Sequence, residues 1–185
     1  MKKKLLLLFI GLCACILSQA QIEYGFLSGK NFSGHGGSAM FNISSPISDA
    51  DYFTAELGAG IFSNGDNNVV VVPILAGYRY TVDRSGMGLY VEPRIGYSIG
   101  GTDIEKLDAT GQPVYDYNAN KWVDIKASGV TAGANIGYLF KPSEGRFRVQ
   151  WNICLRYDHT FSELASNMIT LRVTHTFSFR RRSDY

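Results

Sequence analysis

Long apolar runs are missing from this 185-residue chain, and cysteine, net charge and helical periodicity nearly vanish once residues 1–20 are set aside. No stretch of about 18 or more apolar residues occurs, which excludes a membrane-spanning helix. Lys2, Lys3 and Lys4 precede an apolar run from Leu5 to Leu17. Ser18-Gln19-Ala20 then puts small residues at the two positions a signal peptidase reads, so the pattern predicts cleavage after Ala20. Losing three lysines takes the formal net charge from +2 to −1, and nucleic-acid binding loses its main support. Of 3 cysteines, Cys13 and Cys15 leave with the signal and Cys154 stays alone, so the mature chain has neither an intramolecular disulfide nor a cysteine metal cluster. A competing reading takes Leu12-Cys13-Ala14-Cys15 as a lipoprotein box with Cys15 acylated; it leaves Ser18-Gln19-Ala20 unused.

What is present instead is a period of two, clearest in Gly88–Gly100. There Leu89, Val91, Pro93, Ile95, Tyr97 and Ile99 form one face, and Tyr90, Glu92, Arg94, Gly96 and Ser98 the other. The same alternation recurs in eight segments: Ile22–Ser28, a second one led by Gly34-His35-Gly36-Gly37 and carrying Ala39, Phe41 and Ile43, Tyr52–Phe62, Val69–Thr81, Gly88–Gly100, Ala127–Phe140, Phe147–Thr160 and Met168–Phe179. Residues 21–185 thus read as one all-β domain, an eight-stranded antiparallel up-and-down transmembrane β-barrel. His35 reads as a solvated residue of a glycine-rich link. Pro73, Pro93 and His175 sit awkwardly in strands, and bulges or strand ends are expected there.

Three features favour a membrane barrel over a soluble one. Most segments reach the roughly 9–11 residues a tilted strand needs to cross hydrocarbon. The links after segments two, four and six are short, while those after one, three, five and seven vary and include the insertion 101–126, the asymmetry of short periplasmic turns and long extracellular loops. With that topology the outward-facing Tyr24, Phe53, Tyr78, Tyr80, Tyr138, Phe140, Phe147, Phe177 and Phe179 gather near the periplasmic rim as an aromatic girdle.

These segments resemble the small outer-membrane barrels of the OmpA/OmpX type, and more closely the porin-like "outer membrane protein beta-barrel domain" family common in Bacteroidota, over roughly residues 21–179 as an architecture. Arg172, Thr174, Phe177 and Phe179 in the last segment resemble the terminal signal read by the barrel-assembly machinery, with Thr174 where that signal prefers glycine. The resemblance implies a cell-envelope protein in the outer membrane, contacting lipid and lipopolysaccharide and inserted by that machinery.

Inward-facing Glu23, Glu56, Arg79, Glu92, Arg94, Arg148, Arg156, Asp158 and Arg172 are expected to pair inside a barrel too narrow for a wide lumen. Glu92 or another inward carboxylate is expected to partner Arg94, and inward glycines at 58, 60, 77, 96, 133 and 137 are expected to make room for arginines. A small-solute channel is the alternative. A lipid A-modifying enzyme is a third reading, resting on His159, Ser162 and Glu163; enzymes of that kind carry the serine two residues after the histidine, where this chain has Phe161, so no catalytic residue is assigned. In the insertion, Tyr115, Tyr117 and Trp122 flank a turn and are candidates for contact with an extracellular protein or glycan. Asp116, Asn118 and Asn120 have the D-x-N-x-N spacing of a calcium loop without its glycine and distal glutamate. A plain turn is the expectation, with no metal and no cofactor.

Overall fold

The computed structural model describes residues 20–142 and 147–179, the side chains at 20, 147–149 and 175–179 excepted. Eight strands close into an antiparallel barrel. In chain order they are β1 (Ala20–Gly29), β2 (Phe32–Pro46), β3 (Asp51–Ser63), β4 (Asn68–Thr81), β5 (Gly88–Thr102), β8 (Gly129–Leu139), β9 (Phe147–Phe161) and β10 (Ser166–Phe179), with a short hairpin, β6 (Tyr115–Asp116) and β7 (Lys121–Trp122), inside the connection from β5 to β8. Each barrel strand pairs with its neighbours in sequence, and β1 pairs with β10 from Ile22↔Val173 to Ser28↔Asn167 to complete the ring. No described helix is long and apolar enough to cross a membrane.

The strand register sets the barrel's shape. A walk at right angles to the strands from Val91 passes Ile136, Leu155, Leu171, Tyr24, Gly37, Ile61 and Val70 and returns to β5 at Gly101, a stagger of ten residues. With about 3.3 Å per residue and about 4.8 Å between strands, that stagger tilts the strands by about 40° and gives a backbone radius of about 8 Å. Each residue then climbs about 2.5 Å along the axis, and each step to the next strand shifts the level by about 1.25 residues. A cylinder this narrow leaves no room for a wide lumen.

Several expectations change. Gly34, Gly36 and His35 lie within β2, not in a link: Gly34 and Gly36 face inward where a side chain would strike the β3 backbone or the Phe32 ring. His35 therefore sits on the outer face, its ring 6.1 Å from that of Tyr24. The first outer link is only Lys30 and Asn31, with Asn31 at φ 59°; the next and the last are 64–67 and 162–165, so the loop asymmetry rests on 103–128 alone. Neither proline makes a bulge. Register is unchanged on both sides of each, and the ladder simply skips the contacts of Pro73 with β3 and of Pro93 with β4. Of the inward glycines, Gly77 gives way to an arginine, since a Cβ there would lie 2.9 Å from Arg94 Cγ. Gly137 instead gives way to Tyr90, 2.5 Å from its Oη. Gly137→Val is accordingly expected to cost about 1–3 kcal/mol by overpacking, read as a lowered unfolding midpoint in urea; an unchanged midpoint would mean Tyr90 has slack.

Candidate functional site

The outer face sorts by height. Near the end that carries the chain termini, Phe53, Tyr78, Tyr80, Tyr138, Phe140 and Trp151 fall within about 9 Å of axial rise, with Phe53 opposite Tyr78 and the Phe140 amide donating to Trp151 O. Above them is an exposed band of aliphatic residues alone, among them Ile22, Leu57, Ile95, Leu155 and Leu171. Aromatic rings return at Phe26, Tyr97, Tyr157 and Phe161, all exposed, about 20 Å above the first group. Tyr24 belongs with this upper group and is a correction to the girdle: β1 begins part-way up the tilted barrel, and Tyr24, level with Leu171, stands about 15 Å above the lower rings. Trp151 is the lower ring residue the sequence reading omitted. Phe147, Phe177 and Phe179, with the Phe177/Phe179 part of the assembly signal, have side chains outside the described residues, as do Arg148 and His175. Thr174 and Arg172 face inward and are buried.

Inside, charged residues from five strands meet at mid-height. Glu56 (β3) binds Arg94 Nη1 (β5) at 2.5 Å and Arg172 Nη1 (β10) at 2.6 Å. Asp158 (β9) takes Arg94 Nη2 at 2.6 Å and Arg156 Nε at 2.5 Å. Glu23 (β1) pairs with Arg172 and, at 3.2 Å, with Arg156 Nη1. Three guanidinium groups thus face three carboxylates, all buried. Ser38 and Thr170 donate to Glu23, and Asn42 to Glu56. Arg94 pairs with Glu56 and Asp158, whereas Glu92 belongs to a second group nearer the termini: Arg79 Nε donates to it at 2.6 Å, and Thr54 and Asn135 also donate. The Arg79 guanidinium lies 4.4 Å from the Tyr90 ring centroid, and Tyr90 donates to Asn152.

Towards the other end the interior turns apolar. Ser98, Thr131 and Thr160 chain their hydroxyls at 2.7 and 2.9 Å. Above them Leu27, Phe32, Phe62, Val69, Val71, Leu164 and Met168 pack with Ile104, Ile125 and Ala127 from the long connection and its edge. The sequence signal for this cork was the failure of alternation at strand ends, as in Phe26-Leu27, Ile61-Phe62 and Val69–Val72. Residues 103–128 form an ordered lid: Ile125 N donates to Ile104 O, Lys106 N to Val123 O and Val123 N to Val114 O. Glu163 accepts from Lys106 Nζ and Lys126 N, which holds its carboxyl below the usual range, and the Asn68 backbone amide and side chain do the same to Asp103.

At the lid's tip Tyr115 packs edge-on against Tyr117 and Trp122, at 5.1 and 4.9 Å between centroids, and donates to Asn120. Tyr117 is 87% exposed and Trp122 49%. Asp116 Oδ1 accepts from the Asn118 and Ala119 amides, so its carboxylate caps a turn; among the described residues no cluster of three or more His, Cys, Asp or Glu side chains is placed to hold a metal. His159, Ser162 and Glu163 do not converge. His159 Nδ1 bonds Asn167 Oδ1 on the outer face and its ring packs on Phe161, Ser162 Oγ is buried without a partner, and Glu163 serves the two lysine positions.

No protein-family model matches the chain, and no curated protein matches it. Among solved structures it resembles Neisserial surface protein A (NspA), with a TM-score of 0.54 at 12% identity, over 83% of this chain and 92% of that one. Identity that low carries the likeness of fold and nothing finer. Two outcomes follow from the interior and the lid. Arg94→Ala strands Glu56 and Asp158 among the remaining arginines and is expected to cost about 3–5 kcal/mol, checked by urea unfolding in micelles; no change would remove the case for the ion cluster as a structural element. Asp103 and Glu163 have lowered pKa values, so their contribution is present above the unfolded carboxylate range and fades as pH falls below about 4. Amide exchange of 103–128 is expected to accelerate there before that of the barrel strands.

Proposed function

We propose that this chain is an integral outer-membrane β-barrel of the small OmpA/OmpX-like kind, reached through a cleaved signal peptide, non-enzymatic, and serving as a closed anchor that presents the 103–128 lid at the cell surface. The observation that carries this reading is the sorted outer face: an aliphatic band between two levels of exposed aromatic rings, close to the roughly 25 Å apolar band of outer-membrane barrels with aromatics at both interfaces. In water that face would be a continuous apolar surface far beyond what soluble monomers leave exposed. The ring is closed, so no strand edge would meet lipid with unpaired backbone groups. The fold it shares with a protein named as a surface protein agrees with this. Membership of the porin-like family of Bacteroidota, contact with lipopolysaccharide and insertion by the barrel-assembly machinery belong to the same proposal. A polar ion cluster, a hydroxyl layer and an apolar cork lie in series along the axis, which supports an anchor over an open channel. Tyr117 and Trp122 are the exposed groups for an extracellular protein or glycan.

The deciding experiment is gel mobility of the outer-membrane fraction, heated and unheated. A heat-dependent shift in that fraction is expected, together with quenching of Trp151 fluorescence by brominated lipid in a Trp122→Phe background. Recovery from the soluble periplasm with neither effect would overturn the membrane reading. In planar bilayers the folded protein is expected to give no stepwise conductance; steady openings would return the channel reading. Deleting 108–124 is expected to keep the heat-dependent shift and to abolish surface binding.

A further inference from the structure

We propose that the interior at the termini end is a binding site for the carboxyl end of a short peptide. At the termini end, beside the Arg79–Glu92 pair, described residues line a cavity of about 430 Å³, within the roughly 300–1,000 Å³ of small-ligand sites. The ion cluster and the apolar cork close the way beyond it.

One side of it carries a held guanidinium. Arg79 lines the cavity with its side chain only 12% exposed, its Nε held by Glu92 and its guanidinium carbon 4.4 Å from the Tyr90 ring centroid. Its two terminal nitrogens have no partner among the described residues. Two parallel N–H groups on a fixed plane match a carboxylate. Glu92 already balances the arginine's charge, so the site suits a monoanion held by geometry better than a phosphate held by excess charge. Deeper in the barrel than Arg79, Gln21 Oε1 lines the same cavity and is buried with no hydrogen-bond partner, an orphan acceptor that a ligand N–H would satisfy. At the mouth, Met87 and Leu139 supply apolar surface. A guanidinium for a carboxylate, an acceptor for an N–H and apolar surface in one cavity match the groups of a peptide's last residue. Under the membrane reading this mouth opens to the periplasm; the site's chemistry stands without that reading.

The test uses the full chain refolded in detergent and trialanine labelled at its amino end, with its carboxyl group free or amidated, followed by fluorescence anisotropy. The free acid is expected to bind, and the amide about tenfold or more weakly. Arg79→Gln is expected to weaken binding of the acid by about tenfold or more. Ser44→Trp, which fills the mouth and leaves the Arg79–Glu92 pair intact, is expected to abolish it, with heat-dependent gel mobility verifying that each variant folds. Equal binding of acid and amide, no binding by the full chain, or displacement by acetate alone as effectively as by the peptide would each overturn the proposal. So would binding that appears only after residues 180–185 are removed, since the chain's own tail would then be the occupant.

Discussion

Closure of the ladder between β1 and β10 is the constraint from which the rest of this molecule follows. Once the first and last strands pair, with the register staggered by ten residues around eight strands, tilt and radius are no longer free. A radius of about 8 Å brings the inward side chains of all the strands close together, so inward residues become neighbours of residues far away in sequence. Glu23 and Arg172 sit at opposite ends of the chain and meet because the ring closes through them. An open sheet of the same sequence would leave both without partners and would expose two rows of backbone donors and acceptors.

The interior solves its packing problem differently at different heights. At mid-height buried guanidinium groups share carboxylates in a mesh, so each charge has more than one partner and no isolated ion is left desolvated. Such a mesh is costly to break at one point, and it specifies which strands sit opposite each other because only one register aligns its members. Towards the lid, side chains from five barrel strands and from 103–128 form a small apolar core, the kind of packing a soluble protein would place at its centre. The lid is therefore tied to the barrel by burial as well as by the Asp103 and Glu163 hydrogen bonds, and only its aromatic tip reaches outward.

How much of this was legible depends on the range of the interaction that decides each feature. Alternation along Gly88–Gly100 or Phe147–Thr160 is local, and it located eight strands and assigned inward and outward faces to within a few residues. The turn flanked by Tyr115, Tyr117 and Trp122 was likewise readable, and it joins β6 to β7 in a separate two-stranded sheet. Gly34-His35-Gly36-Gly37 misled because glycine has two uses: there it serves close approach between β2 and its surroundings rather than a turn, and nothing local separates the two. Tyr24 misled because height depends on stagger, which accumulates around the whole ring. For Arg94 the sequence offered Glu92 or some other inward carboxylate without choosing, because its actual partners come from β3 and β9 across the lumen.

The sequence by itself determined most of the secondary structure, which face of each strand is apolar, and that many charges would be buried together, because a period of two is imposed by the pleat of a single strand. Only the tertiary structure decided which carboxylate meets which guanidinium, that an apolar cork seals one end, that the outer rings lie at two levels about 20 Å apart, and that a polar cavity remains at the other end. Those features depend on the register between strands, a sum of pairings that closes only when the last strand finds the first.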